Sequence, residues 1–227
     1  MDLTVPPALA NQLVAPAQPQ LPFAWKRQAW RSMLHDVPGA AELLDALPEK
    51  VDRTSTLEVV NRGITEGEIL PAFIAAMIWG HGTTGFGPVR VRRSLTGLKS
   101  GTRDAPIRVD VEGLLRISAL KVRNDGPLEG FRYMNNEGKI KHLGSAFFTK
   151  WLYFASAGEN PDAPNASPIL DRQVRDWIRN ETGLSLGNRR TEDYAMYIET
   201  LTVWGIAYDR SPVQVEKEIF ALATGRG

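Results

Sequence analysis

Asp171 ends the tetrapeptide Pro168-Ile169-Leu170-Asp171 and stands immediately before a helical pattern that starts at Arg172. An aspartate at a helix N-cap accepts backbone N–H bonds and feels the positive end of the helix dipole, and both effects favour its ionised form. A carboxylate fixed in that state can stabilise positive charge developing on a substrate and orient an attacking water. Upstream, Lys141-His142-Leu143-Gly144 reads as a tight turn into an apolar helix that starts near Ser145. Such a turn presents backbone N–H groups to an anion at the helix N-terminus, and Gly144 allows close approach. Alone, each of these is most often an ordinary cap or an ordinary helix connection. What singles them out is their succession across a polar, Pro- and Asn-rich loop.

A second segment, Ile78 to Pro88, carries Gly80, Gly82, Gly85 and Gly87, with Trp79, His81 and Phe86 between and beside them. Glycines at this density mark a loop that something approaches closely. The spacing contains G-x-G-x-x-G, but a helical pattern precedes it where a dinucleotide fold requires a strand, and the lysine of a phosphate loop is missing. Arg90, Arg92 and Arg93 follow directly and are placed to grip a polyanion backbone.

The elements that must position these groups read as helices. Thr65-Glu66-Gly67-Glu68 fits a capping box, with Ile64 and Ile69 as its staple, ahead of the apolar run Ile69–Trp79. Pro71 sits deep for that start, which predicts a beginning one turn later. Asp110 is placed to cap a helix carrying Leu114, Leu115, Ala119 and Val122, and Ser211-Pro212-Val213-Gln214 caps the last one. Phe147, Trp151 and Phe154, beside Phe148, Leu152 and Ala155, form two adjacent stripes of one strongly apolar helix, so Trp151 and Phe154 are core candidates. Val89–Arg92 and Ile107–Val111 alternate as short strands would. The first 22 residues, rich in proline, read as an extended arm, and 23–227 as one mostly α-helical domain. The fold class expected is all-α.

Composition bounds the chemistry. The 227 residues contain no cysteine, which excludes a disulfide framework, thiolate zinc sites, iron–sulfur clusters and cysteine nucleophiles. His35, His81 and His142 are too scattered to form a helical metal pair, so neither metal nor cofactor is expected. No segment reaches the apolar length of a membrane span and no signal-peptide pattern opens the chain, which predicts a cytoplasmic protein. The net charge of +1 hides a division. Residues 42–68 hold seven acids against three bases, whereas residues 86–123 hold nine bases against three acids. A polyanion responds to that local field, not to the average.

The segment 125–183 resembles the helix-hairpin-helix DNA glycosylases of the 8-oxoguanine-glycosylase fold. Their hairpin pattern L-P-G-V-G-T-K-x-A is matched by Ile140-Lys141-His142-Leu143-Gly144-Ser145-Ala146-Phe147-Phe148, and their P-V-D by Pro168-Ile169-Leu170-Asp171. His142 stands where the family has its first hairpin glycine. The resemblance implies helical lobes around a central cleft and a duplex DNA partner carrying a modified base. It also implies a flipped nucleotide whose N-glycosidic bond is broken with Asp171 stabilising the oxocarbenium charge. Lys141, His142, Gly144, Ser145 and Arg172, with Arg90, Arg92 and Arg93, become the DNA-binding candidates, and Trp79, His81 and Phe86 the base pocket. Bifunctional relatives carry a nucleophilic lysine two residues after the last hairpin glycine. That position is Ala146, which implies a monofunctional enzyme that leaves an abasic site. Lys150 is the nucleophile candidate only under a shifted register; on an apolar helix it is otherwise expected to snorkel to solvent. Small size, the proline-rich arm and the hairpin departures resemble the bacterial antiphage branch, which removes α-glucosylated hydroxymethylcytosine. Removal of 8-oxoguanine and a non-catalytic DNA-binding module are the alternatives.

Overall fold

The computed structural model describes residues 4–16 and 20–225. Asp2 and Pro19 of the proline-rich segment lie outside them. Among the described residues the fold is all-α, twelve helices with a single two-stranded sheet. The first half runs α1 (Pro7–Val14), β1 (Phe23–Ala24), α2 (Arg27–Met33), α3 (Ala40–Ala46), β2 (Lys50–Val51), α4 (Arg53–Glu66), α5 (Ile69–His81) and α6 (Gly87–Thr96). The second runs α7 (Val111–Asn124), α8 (Pro127–Asn135), α9 (Ser145–Ser156), α10 (Arg172–Thr182), α11 (Thr191–Ile206) and α12 (Pro212–Thr224). β1 and β2 are antiparallel, with Phe23 opposite Val51 and Ala24 opposite Lys50.

Helix α5 is the axis of the molecule. Its residues Ile69 to Trp79 are all buried, as expected of a helix apolar all round. It packs against α3, α4, α6, α7 and α9, and Phe73 meets Trp151 of α9 edge-on at 5.9 Å. Trp151 and Phe154 are fully buried core residues. Pro71 does not delay α5, because at the third helical position its missing N–H would have had no intrahelical acceptor. The capping box expected at Thr65 is not there. Thr65 belongs to the last turn of α4, where its hydroxyl bonds the Asn61 carbonyl, and Gly67 ends that helix at φ +84°. The box lies one helix earlier, between Asp52 and Ser55. At the C-terminal end the Ser211–Gln214 box forms as the sequence indicates.

Two expectations fail by period. Val89–Arg92 is inside α6, where Val91 and Leu95 face the core one turn apart, and Ile107–Val111 runs from a turn into α7. Among the described residues of the N-terminal arm, Pro7–Val14 is helical where an extended segment is expected. Pro6 and Pro7 start α1, and Leu9 and Leu13 bury against α12. Arg210 donates to the carbonyls of Leu13 and Ala15, tying the end of that helix down.

Candidate active site

The hairpin forms between α8 and α9. Ile140 and Leu143 are buried and hold the turn from beneath, while Lys141, His142 and Gly144 are exposed. His142 adopts φ +68°, the left-handed conformation for which glycine is suited, so the turn keeps its shape with a side chain added. Gly144 is the N-cap of α9 and its carbonyl receives the N–H groups of Phe147 and Phe148, both at 2.9 Å. A Cβ placed on Gly144 would meet nothing within 4 Å, so the backbone here faces open space. Ser145 is buried, and only its main chain stays at the mouth of the helix.

Asp171 caps α10, accepting the Gln173 N–H at 3.0 Å. Its strand of approach is fixed by three hydroxyls. Tyr194 and Tyr197 of α11 donate to the carbonyls of Pro168 and Ile169, at 2.7 and 2.8 Å. Thr149 of α9 receives the Leu170 N–H at 3.1 Å. The next residue on α9, Lys150, meets the next residue on the strap, Asp171, with Nζ 3.3 Å from Oδ2. Lys150 does not snorkel. Its side chain is 12% exposed, donates to the Gly80 carbonyl at 2.8 Å, and lies over the rings of Phe147 (5.0 Å) and Trp79 (5.9 Å). Lys150 is four residues beyond Ala146 and therefore on the same face of α9, one turn deeper.

The Gly-rich segment contributes the opposite wall. Gly80 lies so close to Lys150 that a Cβ there would come within 2.9 Å of its Cδ. Trp79 is buried, packs edge-on against Phe154 at 5.1 Å, and donates its indole N–H to Gln20 at 2.9 Å. His81 is buried and stacks on Phe147, with centroids 4.1 Å apart. Burial first, and then the charges of Lys150 and Arg90, push its pKa down to about 3, so the ring is neutral. Phe86, grouped with these two in the sequence, is not in the pocket. It is the N-cap of α6 and is 71% exposed.

Among the arginines, Arg92 is turned inward, away from any surface ligand. It is completely buried in a bidentate pair with Asp36 (2.5 and 2.8 Å) and also donates to the carbonyls of Thr102 and Ala105. On an amphipathic α6 it occupies the inner face beside Val91. Arg90 and Arg172 are exposed and Arg93 is half-buried. An open cleft of about 480 Å³ lies elsewhere, between α2 (Gln28, Arg31 and Ser32), His35 just beyond it, and Arg103 and Asp104, and holds none of the candidate residues.

Behind the Lys150–Asp171 pair lies a feature that the sequence reading missed. Arg53, at the start of α4, is 8% exposed and pairs at 3.5 Å with Glu216 of α12, which is 1% exposed. The guanidinium sits between the rings of Trp79 and Tyr153, 4.9 Å from each centroid. Burial pushes the Glu216 carboxyl up, opposed by Arg53 and Lys217, and Asp171 and Lys150 are close enough to act on it too. The available signal was positional: Glu216 falls on the inner stripe of α12 with Val213 and Ile219.

An ammonium and a carboxylate thus meet in an aromatic-walled recess, beside an open helix N-terminus suited to a phosphate. No curated protein and no solved structure matches the chain significantly. The family model of the 8-oxoguanine DNA glycosylase OGG-like proteins matches residues 16–220, which runs from ahead of α2 into α12 and includes every residue of the recess, and the chain belongs to that family.

Proposed function

We propose that the chain flips a modified nucleotide out of duplex DNA and cleaves its N-glycosidic bond at the Lys150–Asp171 pair. The observation that carries this is the convergence of the two side chains from adjacent registers of α9 and the Asp171 strap, next to the exposed hairpin turn. As the bond breaks, the base leaves with the electron pair and the sugar gains oxocarbenium charge, which Asp171 stabilises. Lys150, after passing a proton through Asp171 to the departing base, attacks C1′. Opening of the sugar ring moves a second proton from nitrogen to O4′ and leaves a Schiff base. Borohydride should trap that adduct as a stable protein–DNA conjugate, lost in Lys150→Gln. Absence of a conjugate during measurable base release would refute Lys150 as nucleophile. The monofunctional reading, favoured by Ala146 in the hairpin register, would then hold, with Asp171 directing water at C1′.

For the base, we favour glucosylated hydroxymethylcytosine and a role in defence against phage. The support is the resemblance described above, together with the exposed Thr83 and Thr84 on the loop that follows His81, hydroxyl side chains of the kind a sugar substituent bonds. The family match favours 8-oxoguanine as the second reading. Release from duplexes carrying each base separates them, and activity on 8-oxoguanine alone would overturn the first.

A further inference from the structure

Helix α2 has two faces. Trp30 and Leu34 turn inward and are buried. Gln28, Arg31 and Ser32, three and four residues apart, share the outer face, and His35 follows in the turn beyond the helix. Together with Arg103 and Asp104 they line the open cleft of about 480 Å³, apart from the recess.

One buried side chain fixes both walls of this cleft. Arg92 grips Asp36, the neighbour of His35, through both carboxylate oxygens at 2.5 and 2.8 Å. It also donates to the carbonyls of Thr102 (2.8 Å) and Ala105 (2.6 Å), on either side of Arg103 and Asp104. The lining is therefore in place before a ligand arrives, which lowers the ordering cost of binding. Arg103 reaches across to the Ser32 hydroxyl at 3.2 Å and makes no ion pair among the described residues. Arg31 pairs with Asp45, but both side chains are well exposed, and an incoming anion displaces such a pair at little cost. Two guanidinium groups, with an amide and a hydroxyl beside them, suit the oxygens of a phosphate. Asp104 repels that anion and accepts hydrogen bonds, so it needs donors elsewhere on the ligand. A DNA backbone has none to give, because it lacks the 2′-hydroxyl.

We infer that this cleft binds a small phosphate ester with hydroxyl donors, of the sugar phosphate or ribonucleotide class, separately from DNA. Calorimetric titration of the full chain at constant ionic strength tests it, with ribose 5-phosphate, inorganic phosphate and ribose as probes. Ribose 5-phosphate should bind saturably and about 5-fold or more tighter than inorganic phosphate, with ribose alone giving no heat of binding. Arg103→Gln should weaken both phosphates by on the order of 10-fold. Asp104→Asn should strengthen inorganic phosphate yet weaken the ester, opposite changes that a general loosening of the fold cannot produce. Absence of saturable ester binding, wild-type affinity in Arg103→Gln, or displacement of the ester by excess unmodified duplex would each overturn the inference. None of these outcomes bears on the Lys150–Asp171 reading.

Discussion

Breaking the Arg53–Glu216 pair one side at a time should reveal how firmly the recess is backed. Removing one member of a buried ion pair typically costs about 3–5 kcal/mol, because the survivor stays buried without its partner. For Glu216→Leu the survivor is Arg53, which keeps its place between Trp79 and Tyr153. Its two cation–π contacts are present before and after the change, so they keep the side chain in place without reducing that loss. For Arg53→Met the survivor is a carboxylate 1% exposed, and it can escape its penalty only by taking up a proton. Its folded-state pKa is already raised by burial, and losing Arg53 removes an opposing influence. A raised folded pKa means stability is fullest below the unfolded value and is lost as pH rises. Arg53→Met should therefore regain stability between pH 7 and pH 5, and Glu216→Leu should show no such recovery. The double variant should lose less than the sum of the two singles by at least about 2 kcal/mol. Urea denaturation at pH 5 and pH 7 measures all four proteins. Single losses that add to within about 0.5 kcal/mol would refute the claim that the two side chains act as a pair.

Three further outcomes follow from the same geometry. His142→Gly relieves a non-glycine residue at φ +68° on an exposed turn and should stabilise the protein by up to about 1 kcal/mol, a rise of roughly 2–4 °C by calorimetry. A fall in the melting temperature would show that the imidazole makes a contact worth more than the strain. Arg92→Met should cost about 3–5 kcal/mol in urea yet leave the salt slope of DNA binding unchanged, whereas Arg90→Met should flatten that slope by about one unit with little effect on stability. His81, held neutral with a pKa of about 3, contributes stability that is fully present above pH 6.5 and is lost as pH falls from there to about 3. His81→Phe should make the acid limb of the stability profile shallower, and an unchanged limb would mean that His81 is not buried neutral.

The sequence exposed some parts of this molecule and hid others for physical reasons. Asp171 as a cap, the Gly144 turn and the apolar α9 are written in local residue order, since a cap or a stripe needs only a few neighbours to declare itself. The arginines could not be sorted that way. Arg90 and Arg92 are two residues apart in a basic run, and only the rotation of α6 decides that one faces water and the other faces Asp36. The apparent strand at Val89–Arg92 had the same origin, because a four-residue alternation also fits one turn of a helix once Pro88 starts it. Lys150 was misjudged because an apolar helix suggests an outward lysine, whereas its acceptors, Gly80 and Asp171, lie far off in the chain. Arg53 and Glu216 pair across more than half the chain's length, and no short window of sequence contains both.

Docking of α1 on α12 reaches further than its position at the edge suggests. The family match begins at residue 16, just past α1, so a shortened protein cut at that boundary would look complete by homology. It would also strip Leu9 and Leu13 from α12, the helix whose inner face carries Glu216 toward Arg53. Trimming at that edge would therefore loosen the backing of Lys150 and Asp171 without touching either residue. The opening helix braces the Arg53–Glu216 pair from a distance, and an affinity tag belongs ahead of it, never in its place.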